Sequence, residues 1–171
     1  MAVATWVHDE LEQRGLPFEE VHHLDAYTAQ TVAQREHMSG HRVAKVVVAM
    51  ADGRPVELIL PASRNVVLER VGDLLGAKDV RLATEAEIRQ YFTDCEVGAM
   101  PALRHWNNVE VLMDETMRVS GDILFQAGTH CDAVRMRFDD WLALVNPQTG
   151  SFSVPIGSYP REEDYDWQDE T

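Results

Sequence analysis

Three short stretches of this 171-residue chain could do chemistry. The first is Arg42-Val-Ala-Lys-Val-Val-Val-Ala-Met50, in which Lys45 is the one charge inside a β-branched, buried-looking run. A strand lysine usually sits at an edge or snorkels its ammonium to water. One with apolar neighbours on both sides is costly to bury unpaired, which makes Lys45 a candidate contact for an anion or a substrate. The second is Gly98-Ala-Met-Pro101, inside a long irregular stretch over 93–108. It reads either as an ordinary turn or as a backbone shelf, because small residues let a ligand approach N–H and C=O groups closely. The third is Gly128-Thr-His130 at a strand end, where a histidine is either a site residue or a cap on the surface.

Other chemistries find no support. GxGxxG and GxxxxGK[ST] are absent, so the usual dinucleotide and phosphate-loop signatures are missing. No HExxH or CxxC indicates a zinc site, and no GxSxG marks a nucleophile elbow. His22 and His23 are adjacent and would point to opposite faces of a strand, while His8, His37 and His41 sit among polar residues. Cys95 and Cys131 make no disulfide framework, and Cys95 lacks a recognisable histidine partner motif. The expectation is a chain with no metal and no cofactor.

The elements that must position these residues follow from pattern. Residues 4–14 predict an amphipathic helix stopped by Gly15 and Pro17. A short strand over 18–21 and a helix over Thr28–Met38 follow. Val43–Met50 and Pro55–Leu60 predict a hairpin around Asp52-Gly53. Asn65 is expected to cap a helix through Leu75, ended by Gly76, and residues 79–82 form a short strand. Thr84 and Glu87 form a capping box for a helix to about Tyr91. Strands are expected over 109–113, 119–125 and 133–138, a turn over 114–117, and a last helix from Asp139 to Val145. The hairpin means that the sheet is not purely parallel.

Length and composition suit one globular domain with a real core, 45% apolar and 26% charged. No apolar stretch approaches a membrane span, and the N-terminal residues carry acids where a signal peptide would be basic. The expectation is a cytoplasmic protein. With 15 basic against 29 acidic side chains the net charge is −14, which argues against a DNA- or RNA-coating protein and against an anionic-membrane binder. The charge is uneven: residues 41–81 hold seven basic and five acidic side chains, net +2. Residues 151–171, with one basic and six acidic, read as a solvated acidic tail; the alternative is that its Tyr165 and Trp167 dock it onto the body or a partner.

Taken in order, these pieces resemble the YbaK-like, prolyl-tRNA-synthetase-associated editing domains, which are aminoacyl-tRNA deacylases. The resemblance spans about residues 1–146. It rests on His23-Leu-Asp-Ala-Tyr-Thr-Ala-Gln30, Val43-Ala-Lys-Val-Val-Val48, Leu58-Ile-Leu-Pro61 and Val80-Arg-Leu-Ala83, and it continues through Cys95-Glu-Val-Gly-Ala-Met-Pro101, Val111-Leu-Met-Asp114, Ala127-Gly-Thr-His130 and Phe138-Asp-Asp-Trp-Leu142. It implies an α/β (α+β) fold with a mixed, barrel-like β-sheet surrounded by helices, as an editing domain over 1–150 followed by the 151–171 tail.

The implied activity is hydrolysis of the ester joining a wrong amino acid to a tRNA 3′ end, a small residue such as alanine on a proline tRNA. Lys45 matches the family's essential lysine, Gly98 and Pro101 its substrate loop with Ala99 and Met100 between them, and His130 its Gly-x-His position. Thr28 and Asp114 match recurrent positions of secondary role. The resemblance gives Lys45 the terminal ribose or phosphate, the backbone around Gly98 the amino acid and its oxyanion, and His130 the α-amino group or a water. The implied partner is the tRNA 3′ end, bound weakly and locally with help from Arg42, Lys45, Arg64, Lys78 and Arg81. The tail would be left for a synthetase or another protein.

Two departures stand out. Many relatives follow the loop with a second proline and a glycine, where this chain has Ala102, Leu103 and Arg104, and some have a glycine where Val97 stands. These keep a second reading open, a non-catalytic module on the same fold that binds a nucleotide, an aminoacyl-tRNA or a protein.

Overall fold

The computed structural model describes residues 5–22, 41–118 and 121–157. Its helices are α1 (Thr5–Gln13), α2 (Leu68–Leu75), α3 (Glu85–Tyr91) and α4 (Phe138–Val145), with one 3-10 turn at Glu115–Met117. Its strands are β1 (Phe18–His22), β2 (Val43–Ala51), β3 (Arg54–Pro61), β4 (Arg64–Val66), β5 (Val80–Leu82), β6 (Glu110–Asp114), β7 (Asp122–Gln126), β8 (Asp132–Arg137), β9 (Gln148–Gly150) and β10 (Ser153–Pro155). The helix expected over 28–38, with Thr28, lies outside the described residues. So do residues 119–120, the first two of the strand expected over 119–125.

The hairpin forms where Asp52-Gly53 predicts it. Both turn residues have positive φ, 48° and 81°, as a two-residue turn matched to strand twist requires. It pairs β2 with β3 from Ala44↔Pro61 to Ala51↔Arg54. The main sheet runs β1-β8-β7-β2-β3-β6-β9. Three of its pairings are parallel, β2 with β7, β3 with β6 and β6 with β9, so the sheet is mixed and the α+β class holds.

Both faces of the central strands are covered, which is why β2 and β3 read as apolar runs instead of alternating ones. On one face Ala44, Ile59 and Phe125 pack with Leu11 of α1 and Trp141 of α4. On the other, Leu58, Leu60 and Leu112 pack with Val71 of α2 and with Phe152.

One edge of β2 is shared. Beside β3 it is paired along its length, but on the opposite edge β7 takes only Val43 and Ala44, while β5 takes Ala49 to Ala51. The Ala83 N–H donates to the Val48 carbonyl at 2.9 Å. Among the described residues no strand pairs Lys45–Val47 on that edge. The two neighbours part, and the opening falls at the lysine.

Two expectations need correction. Asn65 caps no helix: it lies in β4 opposite Val154, and α2 starts after Val67 with no side-chain cap. Residues 64–66 are needed as a strand because Ser153–Pro155 pairs with them, and Val67 N donates to the Phe152 carbonyl at 2.7 Å. For the same reason the packed body runs past residue 150. Phe152 is fully buried in the second core, and Arg64 donates to Ser153 Oγ and O at 2.7 and 2.9 Å. Residues 158–171 lie outside the described set. The predicted capping box of α3 is present, with Thr84 and Glu87 bonded reciprocally.

The departure at 102–104 is framework. The Ala102 carbonyl accepts from Trp141 Nε1 at 2.6 Å and Leu103 is buried in the main core. Arg104 donates to the carbonyls of Val109, Val145 and Asn146 at 2.5, 3.0 and 3.3 Å, a cation satisfying the open C-terminal end of α4. Charge-assisted bonds of this kind are worth about 1.5–3 kcal/mol. Arg104→Ala is therefore expected to lower the unfolding free energy by about 2 kcal/mol, read as a reduced urea midpoint at unchanged slope.

Candidate functional site

The site grows from the opening beside β2. Lys45 stands there, opposite Leu60 of β3. It is half-buried, and loss of water pushes its ammonium pKa down. Among the described residues it has no hydrogen-bond or ion-pair partner. Continuing the parallel register beyond Ala44↔Phe125 brings Lys45 level with Gln126, the last residue of β7.

Two residues further, β7 runs into the Gly128-Thr-His130 connection, and here the structure brings two of the sequence candidates together. The Glu96 N–H donates to the Gly128 carbonyl at 2.8 Å, and the Gly128 N–H donates to the Ala99 carbonyl at 3.0 Å. This two-bond staple lays the 96–101 loop against the end of β7. Gly128 accepts it at φ 101° and Gly98 turns the loop at φ 86°, conformations that L side chains resist. The His130 N–H donates to Glu96 Oε2 at 3.0 Å, and its Nε2 lies 3.7 Å from the same oxygen. Thr129 Oγ1 donates to Asp132 at 2.5 Å and accepts from Cys131 N–H, so the connection is braced from both sides.

Between Gly98 and Pro101 the side chains turn inward. Ala99 is fully buried and Met100 nearly so. Met100 packs with Val48 and Phe92. Strand alternation puts Val48 and Lys45 on opposite faces of β2, so the Met100 side chain packs on the face of β2 opposite to the one the Lys45 side chain leaves. What the loop offers outward is backbone. Ala99 spends its N–H on the Glu96 carbonyl and its own carbonyl on Gly128. Among the described residues the N–H groups of Gly98 and Met100 have no such partner; Gly98 is exposed, so its N–H is open to water or a ligand, whereas Met100 is buried, where an unmatched N–H is rare.

Asp114, expected to touch substrate, is 1% exposed. One oxygen accepts from Phe152 N–H at 2.9 Å. The other accepts from Thr116 N–H at 3.1 Å and from its hydroxyl. Burial alone would raise its pKa, but these bonds outweigh burial and hold it below the usual carboxylate range. Its oxygens are taken up in bracing the turn at Thr116 and in joining β6 to Phe152.

The expected basic patch is thinner than its sequence. Arg81 is bidentate with Glu87 at 2.6 and 2.8 Å, which pulls the Glu87 pKa down to about 2. Arg64 is turned onto Ser153 and Asp114. Arg42, Lys45 and Lys78 remain. The Cys95 thiol is pushed up to about 11, first by burial and then by Asp94 and Glu57, the wrong direction for a nucleophile. No cluster of three metal-ligating side chains occurs among the described residues, and none of the helices there is long and apolar enough to cross a membrane. A cavity of about 280 Å³ lies between α1, α4 and residues 103–107. Lys45, Gly98 and His130 do not line it, and it is not the candidate site.

Sequence reasoning missed one group. Glu57 sits in Val56-Glu-Leu-Ile-Leu60, a charge inside an apolar strand, the same signal that singled out Lys45. It is fully buried and paired with His105.

Comparison with known proteins adds the family. Residues 23–144 match the sequence profile of the aminoacyl-tRNA editing domain. No curated protein matches the chain. Several solved structures share the fold. One is a proposed trans-editing enzyme for prolyl tRNA synthetase, 22% identical with a TM-score of 0.77, where 88% of this chain covers 96% of that one. Another, from computational epitope grafting onto scaffold proteins, is 19% identical with a TM-score of 0.79, covering 88% and 97%. A hypothetical protein is 16% identical with a TM-score of 0.78, covering 86% and 99%. With a profile match over well more than half its length, the chain belongs to the aminoacyl-tRNA editing domain family.

Proposed function

We propose that this protein is an aminoacyl-tRNA deacylase acting in trans, which hydrolyses the ester of a small amino acid, alanine foremost, from a mischarged proline tRNA. The observation that carries this reading is the unpaired edge of β2, where among the described residues Lys45 has no partner, and level with it β7 runs on into the connection to which the 96–101 loop is bonded. The proline tRNA is suggested by the described role of one structure that shares the fold.

The chemistry asks little of side chains. An aminoacyl ester is already activated, so positioning and oxyanion stabilisation supply much of the rate. Water adds to the ester carbonyl carbon and the carbonyl oxygen becomes an oxyanion, which the N–H groups of Gly98 and Met100 receive. The C–O bond to the terminal ribose then breaks. The ribose oxygen leaves with a proton from the attacking water, giving the free amino acid and the tRNA 3′ end. Lys45 holds the terminal ribose or phosphate as a point charge. His130, set beside the loop by Glu96, holds the α-amino group or the attacking water. Asp114 contributes through the framework, by tying β6 to Thr116 and Phe152, and Thr28 is retained as a secondary contact. Against the non-catalytic alternative stands the 102–104 segment, whose unusual residues serve the core and α4 and leave the 98–101 loop intact.

The half-buried ammonium gives Lys45 a double signature. Lys45→Met is expected to cut deacylation of alanyl-tRNA for proline by about 10²-fold, the scale of loss when a reacting group is misplaced. It should also raise the urea midpoint at pH 7. Because the folded-state pKa is lowered, the unfolded chain binds more protons between the lowered value and the ordinary one. Wild-type stability therefore rises with pH across that window, and the midpoint gap between variant and wild type narrows there. Wild-type turnover in the variant would refute the assignment.

Three basic side chains imply few phosphate contacts. The slope of log affinity against log salt is expected near about −2; about −5 or steeper would contradict local binding. The acidic end is proposed to meet a synthetase or another protein, or simply to repel tRNA. Truncation after Gly157 removes one basic and six acidic side chains. It is expected to tighten tRNA binding modestly in a filter-binding assay.

A further inference from the structure

We propose that Glu57 and His105 form a positioning pair that sets the height of the Gly98–Pro101 loop over the sheet. This rests on the reading of that loop as the surface that holds the substrate. Glu57 rises from the middle of β3, opposite Val48, and is fully buried. His105 lies four residues past Pro101, on the same irregular loop, with a side chain 8% exposed. Its Nδ1 meets Glu57 Oε1.

The imidazole is held in place on two further sides. Trp6 of α1 lies against it with ring centroids 4.9 Å apart, and Phe92, at the end of α3, meets it edge-on at 4.8 Å. Phe92 packs in turn with Val48 and Met100, and Met100 is one of the two residues whose N–H faces the proposed oxyanion. A continuous line of contacts therefore runs from Glu57 through His105 and Phe92 to the working backbone.

Stability alone does not explain the pair. Burial drives the Glu57 pKa up, and the bond to His105 and the charge of Arg104 only partly offset this. Among the described residues the second oxygen of Glu57 and Nε2 of His105 have no hydrogen-bond partner. Buried polar atoms left unmatched cost stability, and well-packed apolar residues often replace a buried ion pair at no loss. A directed polar contact does what apolar packing does not: it fixes one register. The other downstream ties of this loop, from Trp141 to Ala102 and from Arg104 to Val145, reach α4. The Glu57–His105 contact is its polar tie to β3.

The test compares Glu57→Gln and the apolar double variant Glu57→Leu/His105→Phe with wild type. It reads amide hydrogen exchange over 96–104, urea midpoints, and kcat and KM on alanyl-tRNA for proline. Glu57→Gln is expected to speed exchange over 96–104 at least tenfold while β3 and β6 stay protected. It should lower kcat about tenfold with KM changed less than threefold. The double variant is expected to unfold at or above the wild-type midpoint yet keep the low kcat and the fast loop exchange. Wild-type kcat in a folded double variant, or unchanged loop exchange in both, overturns the proposal. If wild type deacylates no mischarged tRNA, the substrate reading of the loop fails. Exchange then decides the pair alone: a change confined to 96–104 sustains it, and no change overturns it.

Discussion

A sheet covered on both faces has no water to offer, so every charge carried into it must be matched or must have work to do. Among the described residues three buried or half-buried charges stand in its central strands β2, β3 and β6, and each meets the constraint differently. Asp114 is satisfied by backbone and hydroxyl donors and becomes part of the framework. Glu57 is matched by one histidine and left with an idle oxygen. Lys45 is matched by nothing among the described residues. The rest of the architecture can be understood as the means of holding these three in place.

The opening that exposes Lys45 arises from how β2 is shared. A strand of nine residues is longer than either neighbour on one edge. β7 is spent after two pairings and β5 begins only near the far end. The unpaired stretch sits between a parallel and an antiparallel neighbour. Past the end of β7 the chain is irregular, and the Gly128 connection there is bonded to the 96–101 loop. The site is thus a product of strand lengths as much as of its side chains.

Much of this was legible in the sequence. The β2–β3 hairpin, the α3 capping box and the end of α2 at Gly76 followed from turn and cap chemistry, which is local. Lys45, the 98–101 loop and His130 stood out because their types or settings broke a pattern. What escaped was long-range. Asn65 has every local feature of a cap, yet its backbone is claimed by a strand some ninety residues later. Phe152 begins what reads by composition as a solvated tail, and only the empty side of the second core shows why it folds in. Glu57 broke the same pattern as Lys45, but its partner lies forty-eight residues away on an irregular loop, and nothing in either stretch points to the other.

Arg104 carries a lesson about transplantation. Because it closes the end of α4 while standing three residues past Pro101, the loop and the helix are one mechanical part. A loop taken from a relative with proline and glycine at these places would arrive without the hand that holds the helix shut. Conversely, this loop moved elsewhere would bring a guanidinium seeking three carbonyls. Exchange of specificity between members of this fold should therefore be sought in blocks that take the loop and the end of α4 together.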